Sequence, residues 1–267
     1  MTINDKKITQ QQAMEIIRAF QVEKQAQLNQ EKYKKALMTH RKTTLSDLFK
    51  YDLTDEDEFV KHSHLIFQIA QDLMLREFRM FDVDDYNKNV LRFLTYYFNG
   101  CLEAEKVFPN ENYKIHKNLL LIGEPGTGKT MLMQIFADYL RLTENVNQFK
   151  NISSTQLMNY YKIHNHIDKF TFNELAHPND FGGDPFNVCL NDLGLQTEKQ
   201  KSYGTMLTQI TDEFLFARYE IYQQTGKRYH ITSNLTVEEL KDRFEDRLID
   251  RFKSFNVIEL RGRSRRK

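Results

Sequence analysis

The sequence predicts an α/β fold, a parallel sheet covered by helices on both faces and preceded by an all-α region, on three observations. From about residue 115 short apolar runs alternate with amphipathic helical stretches. Before about residue 110 apolar residues recur at three and four positions, the period of helices. Between these regimes a glycine-rich loop stands directly after the apolar run NLLLI and directly before the helical run MLMQIFADYL. The 267 residues suffice for one large domain or two modest ones, and the expected division is 1–112 and 113–267.

Composition narrows the classes. Lys plus Arg number 38 and Asp plus Glu 37, which excludes a strongly basic or acidic chain. Two cysteines, Cys101 and Cys189, lie outside any CxxC or Cys/His spacing, so a disulfide framework and a zinc site are not expected. The first twenty residues lack the apolar core of a secretory signal, and no window reaches the ~18 apolar residues of a membrane span. A cytoplasmic protein with no membrane segment is the expectation.

In chain order, Thr9 is placed to cap a first helix through Ala13, Met14, Ile16, Ile17 and Phe20, continuing to Leu37. A second is expected from Thr54 to Met80, capped by the Thr54 hydroxyl, and a third from Asp84 to Phe98, ending at Gly100. Residues 1–50 hold ten basic and five acidic side chains, whereas 51–110 hold six and twelve. Such opposed halves either pack together, meet separate partners, or form solvated helix faces. Expected strands are Leu119–Ile122, Phe149–Ile152, Asn187–Asp192 and Tyr229–Ser233.

The loop Gly123, Glu124, Pro125, Gly126, Thr127, Gly128, Lys129, Thr130 reads GEPGTGKT, a full Walker A match. Glycines let the backbone aim its N–H groups at a polyphosphate, and the next helix presents its positive end. Lys129 then reaches the outer phosphates and the Thr130 hydroxyl ligates magnesium. ATP and Mg2+ are the cofactors this implies. A carboxylate at the end of a later strand must complete the metal shell, normally followed by a glutamate base. The candidate is Val188–Gly194, VCLNDLG, beginning 59 residues beyond Lys129. With Asp192 as the magnesium acid, Leu193 stands where the base belongs; with Asn191 at the metal position, Asp192 is a shortened base. A packing role for Asn191 at a buried strand end is the alternative.

Asn234, just after the Tyr229–Ser233 run, is positioned as a polar sensor between outer phosphate and water, or as an ordinary turn residue. Downstream, FEDRLIDRF sets Arg247 and Arg251 four apart on one helix face, with Phe244, Leu248 and Phe252 on a buried stripe. One of these arginines can serve a neighbouring subunit's nucleotide as a finger, or the helix is exposed and salt-bridged through Asp246 and Asp250.

GEPGTGKT, NDLG, HITSNL, EDRLIDRF and the closing IELRGRSRRK, in this order, resemble the AAA+ family, and within it the DnaC/IstB group of helicase loaders and transposition helper ATPases. The resemblance covers about residues 115–267. It implies a P-loop core without a helical lid, with Asn234 as sensor and Arg251 as the finger of a homo-oligomer holding nucleotide at its subunit interfaces. It also implies an N-terminal helical region, 1–112, that binds a replicative helicase or a transposase, and a core that assembles on single-stranded DNA. The sequence departs from the group where an acidic pair precedes LG: here stand Asn191 and Asp192. Sixteen residues follow Arg251, so a helical lid is not expected, as is usual in the group it resembles.

RGRSRRK carries five positive charges and suits phosphate attraction or simple solvation. The stretch from Ser153 to Phe181, with Tyr160, Tyr161, Lys162, His164, His166 and Lys169, offers stacking and charge to single strands. Two functions follow: an ATP-dependent loader that releases its partner on hydrolysis, as a weak or DNA- or partner-stimulated ATPase, and a nucleotide-gated adaptor that scarcely hydrolyses because Walker B is degenerate.

Overall fold

A computed structural model of the chain describes residues 52–171, 185–194, 201–202 and 205–265, together with Arg18, Gln21, Lys24 and Gln25. The chain divides into two compact units, Met1–Lys50 and Tyr51–Lys267. In the first, the four described residues are helical and exposed; the rest of the helix expected from Thr9 to Leu37 lies outside the described residues.

The second unit opens with helices α1 (Glu56–Leu75), α2 (Lys88–Phe98) and α3 (Ala104–Val107). Then come β1 (Asn118–Ile122), α4 (Lys129–Leu142), β2 (Phe149–Ser153), α5 (Ser154–His164) and β3 (Asn187–Leu193). After the short pair β4 (Lys201–Ser202) and β5 (Thr205–Met206) follow α6 (Leu207–Thr225), β6 (Tyr229–Ser233), α7 (Val237–Arg243), α8 (Asp246–Arg251) and β7 (Phe255–Glu259). Five strands form one parallel sheet in the order β2-β3-β6-β1-β7, so β1 is paired on both sides: Leu120 lies opposite Ile231 of β6 and Val257 of β7. This is the α/β architecture the sequence predicts.

Alternation along β1 builds two cores. Leu119 and Leu121 pack with apolar residues of α1, α2 and α4, while Leu120 and Ile122 pack with those of α5, α6 and α7. Burial on both faces is why β1 reads as an unbroken apolar run. The four expected strands are present to within a residue at either end. β7 was not among them. Its FNVIE is interrupted by Asn256, whose amide donates to Lys114 O at 2.8 Å and accepts from Lys114 N–H at 2.9 Å, so a polar residue sits buried within the strand.

Helix boundaries are corrected by local hydrogen bonds. Thr54 does not cap α1: its N–H and hydroxyl donate back to Asp52, and Asp55 is the cap, accepting from the Asp57 N–H at 2.9 Å. The helix stops at Leu75 rather than Met80, and Phe78 beyond it adopts φ 55. Likewise α2 starts at Lys88 rather than Asp84. Asp84 Oδ1 accepts from the Tyr86 and Asn87 N–H groups while Asn87 Oδ1 accepts from the Asp84 N–H, closing a turn before the helix.

These N-terminal helices share a core with the sheet. Phe98 stacks on Phe149 and packs on Phe136, each at 5.3 Å between ring centroids, and His230 meets it edge-on at 5.4 Å. His62 of α1 bonds the Tyr139 hydroxyl of α4, both fully buried. Both cysteines are free and buried. No helix among the described residues is long and apolar enough to cross a membrane.

Truncating Phe98→Ala should cost ~3–5 kcal/mol of unfolding stability by leaving a cavity among three elements, measured by denaturant titration. His230 gives a pH dependence. Its Nδ1 accepts the Leu119 N–H at 3.2 Å, and burial holds the imidazole neutral, well below the ordinary histidine range. The unfolded chain takes up that proton near pH ~6.5 whereas the native ring does not. Stability is therefore full above that value and falls as pH drops through it, with the His230 ring signals remaining those of a neutral imidazole by nitrogen-detected NMR.

Candidate nucleotide site

The loop 123–130 connects the carboxyl end of β1 to α4. Because the chain proceeds from β1 to β2 on one side and arrives at β7 on the other, a crevice opens where strand order reverses. Gly123, Gly126 and Gly128 take φ 144, 87 and 103. At Gly123 the requirement is also steric, since a β-carbon there would lie 2.2 Å from Leu260 O. Lys129 is almost fully buried and folds its ammonium into the loop, donating to Gly123 O at 2.6 Å and Glu124 O at 2.9 Å. Gly128 opens α4 without a side-chain cap, leaving the helix end suited to an anion.

The Thr130 hydroxyl donates to Asp192 Oδ1 at 3.3 Å. Asp192 takes φ 59, where β3 loses register with β6 between Leu190 and Leu193, and its N–H is held by Thr232 Oγ1 at 3.0 Å. That irregularity turns the carboxylate toward the loop; Asp tolerates the left-handed conformation better than most residues. Asn191 is turned into the sheet: its amide donates to Asn151 Oδ1 at 2.9 Å and accepts from Thr232 Oγ1 at 3.2 Å. Its hydrogen bonds are those of a buried packing residue, while Asp192 is the one of the pair in contact with the loop.

A cleft of about 840 Å3 joins these groups. Pro125 to Thr130, Asp192 and Asn234 line it, so the loop, one strand-end acid and the sensor candidate come together. A hydroxyl and a carboxylate 3.3 Å apart fit hydrated magnesium, which usually takes one or two carboxylates plus substrate phosphate rather than a protein cage. Among the described residues no cluster of three or more His, Cys, Asp or Glu forms such a cage.

Other candidates sit elsewhere. Arg251 stacks on Phe216 and Tyr219 of α6, its guanidinium carbon 4.3 and 4.6 Å from their centroids, and does not line the cleft; Arg247 is exposed. Asp250 pairs with Lys253, not with the arginines. In the stretch expected to meet DNA, Tyr161 is buried, and Tyr160 is occupied by His164 at 4.2 Å, Phe170 at 5.0 Å and the Lys169 ammonium. Residues 172–181 of that stretch lie outside the described residues.

Sequence reasoning missed one wall of the cleft. Arg76, Glu77, Arg79 and Phe81, just after α1, and Asn87, just before α2, line it, as does Arg265. Nothing local in their sequence marks them, because packing of α1 against α4 brings them there. Arg265, read as part of a solvated or DNA-binding tail, instead donates its N–H to Gly126 O at 2.8 Å and its guanidinium to Asp84 at 2.7 Å. Arg261 likewise pairs with Glu259 at 2.8 Å.

Residues 118–178 match the AAA domain family, dynein-related subfamily. Among curated proteins there is no match. The chain is similar to solved structures of AMPPCP-bound DnaA from Aquifex aeolicus (16% identity, 67% of this chain and 48% of that one, TM-score 0.44) and of the DnaC helicase loader (15%, 68% and 93%, 0.45). A putative primosome component from Streptococcus pyogenes serotype M3 is similar at 17% identity over 69% of this chain and 86% of that one, TM-score 0.44. The chain thus spans about half the length of the DnaA structure.

Asn191→Asp tests its place in the sheet. A carboxylate set against Asn151 Oδ1 should lower stability by ~1–3 kcal/mol at neutral pH. Burial raises such a group's native pKa, so the loss should shrink as pH falls and the carboxyl protonates. Turnover should not rise.

Proposed function

We propose that the chain is an ATP-binding AAA+ protein of DNA replication or transposition, loading or regulating a helicase or transposase on single-stranded DNA, with ATP hydrolysis as the release step. The observation that carries the nucleotide part is the contact between Thr130 and Asp192 at the mouth of the Lys129 loop, in a cleft that Asn234 also lines. The resemblance of the ordered motifs supports the choice of process.

In this reading the loop N–H groups and the α4 terminus bind the polyphosphate, and Lys129 exchanges its carbonyl partners for the outer phosphates. Bound magnesium supplies charge neutralisation across those phosphates. Thr130 and Asp192 hold its shell, and Asn234 orients the attacking water. Arg251 serves the nucleotide of an adjacent copy in a homo-oligomer, which requires assembly to present it away from Phe216 and Tyr219. Residues 1–112 hold the helicase or transposase partner, and the core grips single-stranded DNA. Arg263, exposed beside the paired Arg261 and Arg265, supports such a contact.

One observation favours a second reading, a nucleotide-gated adaptor with little hydrolysis. Among the described residues Asp192 is the single carboxylate hydrogen-bonded to Thr130, and Leu193 beside it is buried in the core, so no second acid follows in the strand.

Fluorescent-nucleotide binding and steady-state ATP hydrolysis, with and without single-stranded DNA, test both. Lys129→Ala should abolish binding. Asp192→Asn should retain binding and lower turnover by about 10²-fold or more. DNA-stimulated turnover lost in both variants supports the loader, binding without turnover supports the adaptor, and absence of binding in folded wild-type protein overturns both.

A further inference from the structure

A groove of about 510 Å3 opens between α1 and α2, and among the described residues it shares only Phe81 with the nucleotide cleft. Phe59, Val60 and Phe67 of α1, Phe81 and Val83 of the following turn, and Leu91 of α2 give it an apolar lining. Val60, Phe67 and Val83 are 57%, 40% and 47% exposed, so the lining faces solvent rather than closing on itself. Large apolar side chains grouped in this way at a surface mark an interaction site. The groove is also preformed. Gln71 clamps the turn to α1, its amide donating to Phe81 O at 2.8 Å and accepting the Phe81 N–H at 3.2 Å, and the Phe67 and Phe81 rings meet edge to face at 6.3 Å. An occupant finds its shape ready, which lowers the cost of binding.

Charge selects the occupant. Residues 51–110 hold twelve acidic side chains and six basic ones, yet among the described residues no carboxylate lines the groove, whereas Lys88 and Arg92 of α2 do. Lys61, Arg79, Lys88 and Lys106 each pair with a carboxylate two or three positions earlier. Arg92 does not. Its guanidinium carbon stands 5.9 Å from the Phe59 centroid and 5.8 Å from that of Tyr96, over two rings that stack on each other at 4.8 Å. The rings hold this exposed side chain by cation–π attraction, while none of its N–H groups carries a hydrogen bond among the described residues. A positioned guanidinium with open donors beside an apolar groove suits a carboxylate carried by an apolar segment, and its fork geometry favours that carboxylate over a neutral group.

We propose that this groove docks an acidic amphipathic helix of a partner protein, with apolar anchors at i, i+3 or i+4, and i+7 in the groove and a carboxylate on Arg92. This rests on the reading that residues 1–112 hold a protein partner, and adds to it the surface that does so and the charge of the segment it takes.

The test titrates the full chain with three labelled amphipathic peptides that share one leucine stripe and carry Glu, Gln or Lys on its flanks, followed by fluorescence anisotropy at low salt. The Glu peptide should bind tightest and the Lys peptide weakest, about five-fold or more apart. Arg92→Glu should reverse that order. Val60→Asp, at a position exposed enough to keep the fold, which an unchanged unfolding transition checks, should weaken all three. Equal affinities for the three peptides, no binding of the Glu peptide, or an order unchanged in Arg92→Glu overturn the proposal. Self-association in sedimentation that Val60→Asp removes also overturns it, by giving the groove to a second copy of the chain. Purified replicative helicase or transposase separates the two readings. Capture by wild type that neither variant weakens overturns the groove alone, whereas ordered peptide binding without capture supports the groove and overturns the helicase or transposase assignment.

Discussion

The pairing of β1 on both of its edges is the constraint on which the site depends. With β6 on one side and β7 on the other, the strand cannot shift without breaking two ladders, and its carboxyl end fixes where Gly123 begins. Leu260, continuing β7, then presses its carbonyl against Gly123 so closely that only glycine fits. The loop is positioned by sheet geometry before any ligand arrives. Preorganisation of this kind lets backbone donors act without a reorganisation cost when charge is delivered to them.

Position in the sheet also separates two neighbouring polar residues into different tasks. Asn191 follows the pleat and meets Asn151 and Thr232 inside, satisfying a buried amide with neutral partners. Asp192 leaves the pleat through a left-handed backbone and faces Thr130. A single irregularity in one strand thus decides which of them touches the loop 123–130. Its Thr232 partner serves both, accepting from the Asp192 N–H while donating to Asn191.

What was legible in the sequence is what depends on adjacent residues. β1, the loop and α4 were readable because an apolar run, glycines at fixed offsets and a helical period follow one another without interruption. β7 was not, because Asn256 interrupts its apolar pattern and its buried amide is satisfied only by Lys114, 142 positions earlier. The wall formed by Arg79, Phe81 and Asn87, and the return of Arg265 over the loop, depend on tertiary packing and leave no trace in local spacing. Likewise the stop of α1 at Leu75 follows from a left-handed Phe78, a residue type that ordinarily avoids that conformation.

Two buried thiols lie in different layers of this architecture. Cys101 sits just beyond α2, packed among the helices that cover one face, whereas Cys189 lies within β3, where burial pushes its thiol well above the ordinary range. Both pack in the one core between the sheet and the helices of that face, so a reagent that attacks the thiolate finds almost none at Cys189 while that core stays closed. Cys101 becomes accessible as soon as its helical layer lifts. The molecule carries its own pair of clocks, and the difference between their alkylation rates separates loosening at the end of α2 from opening of the core over β3.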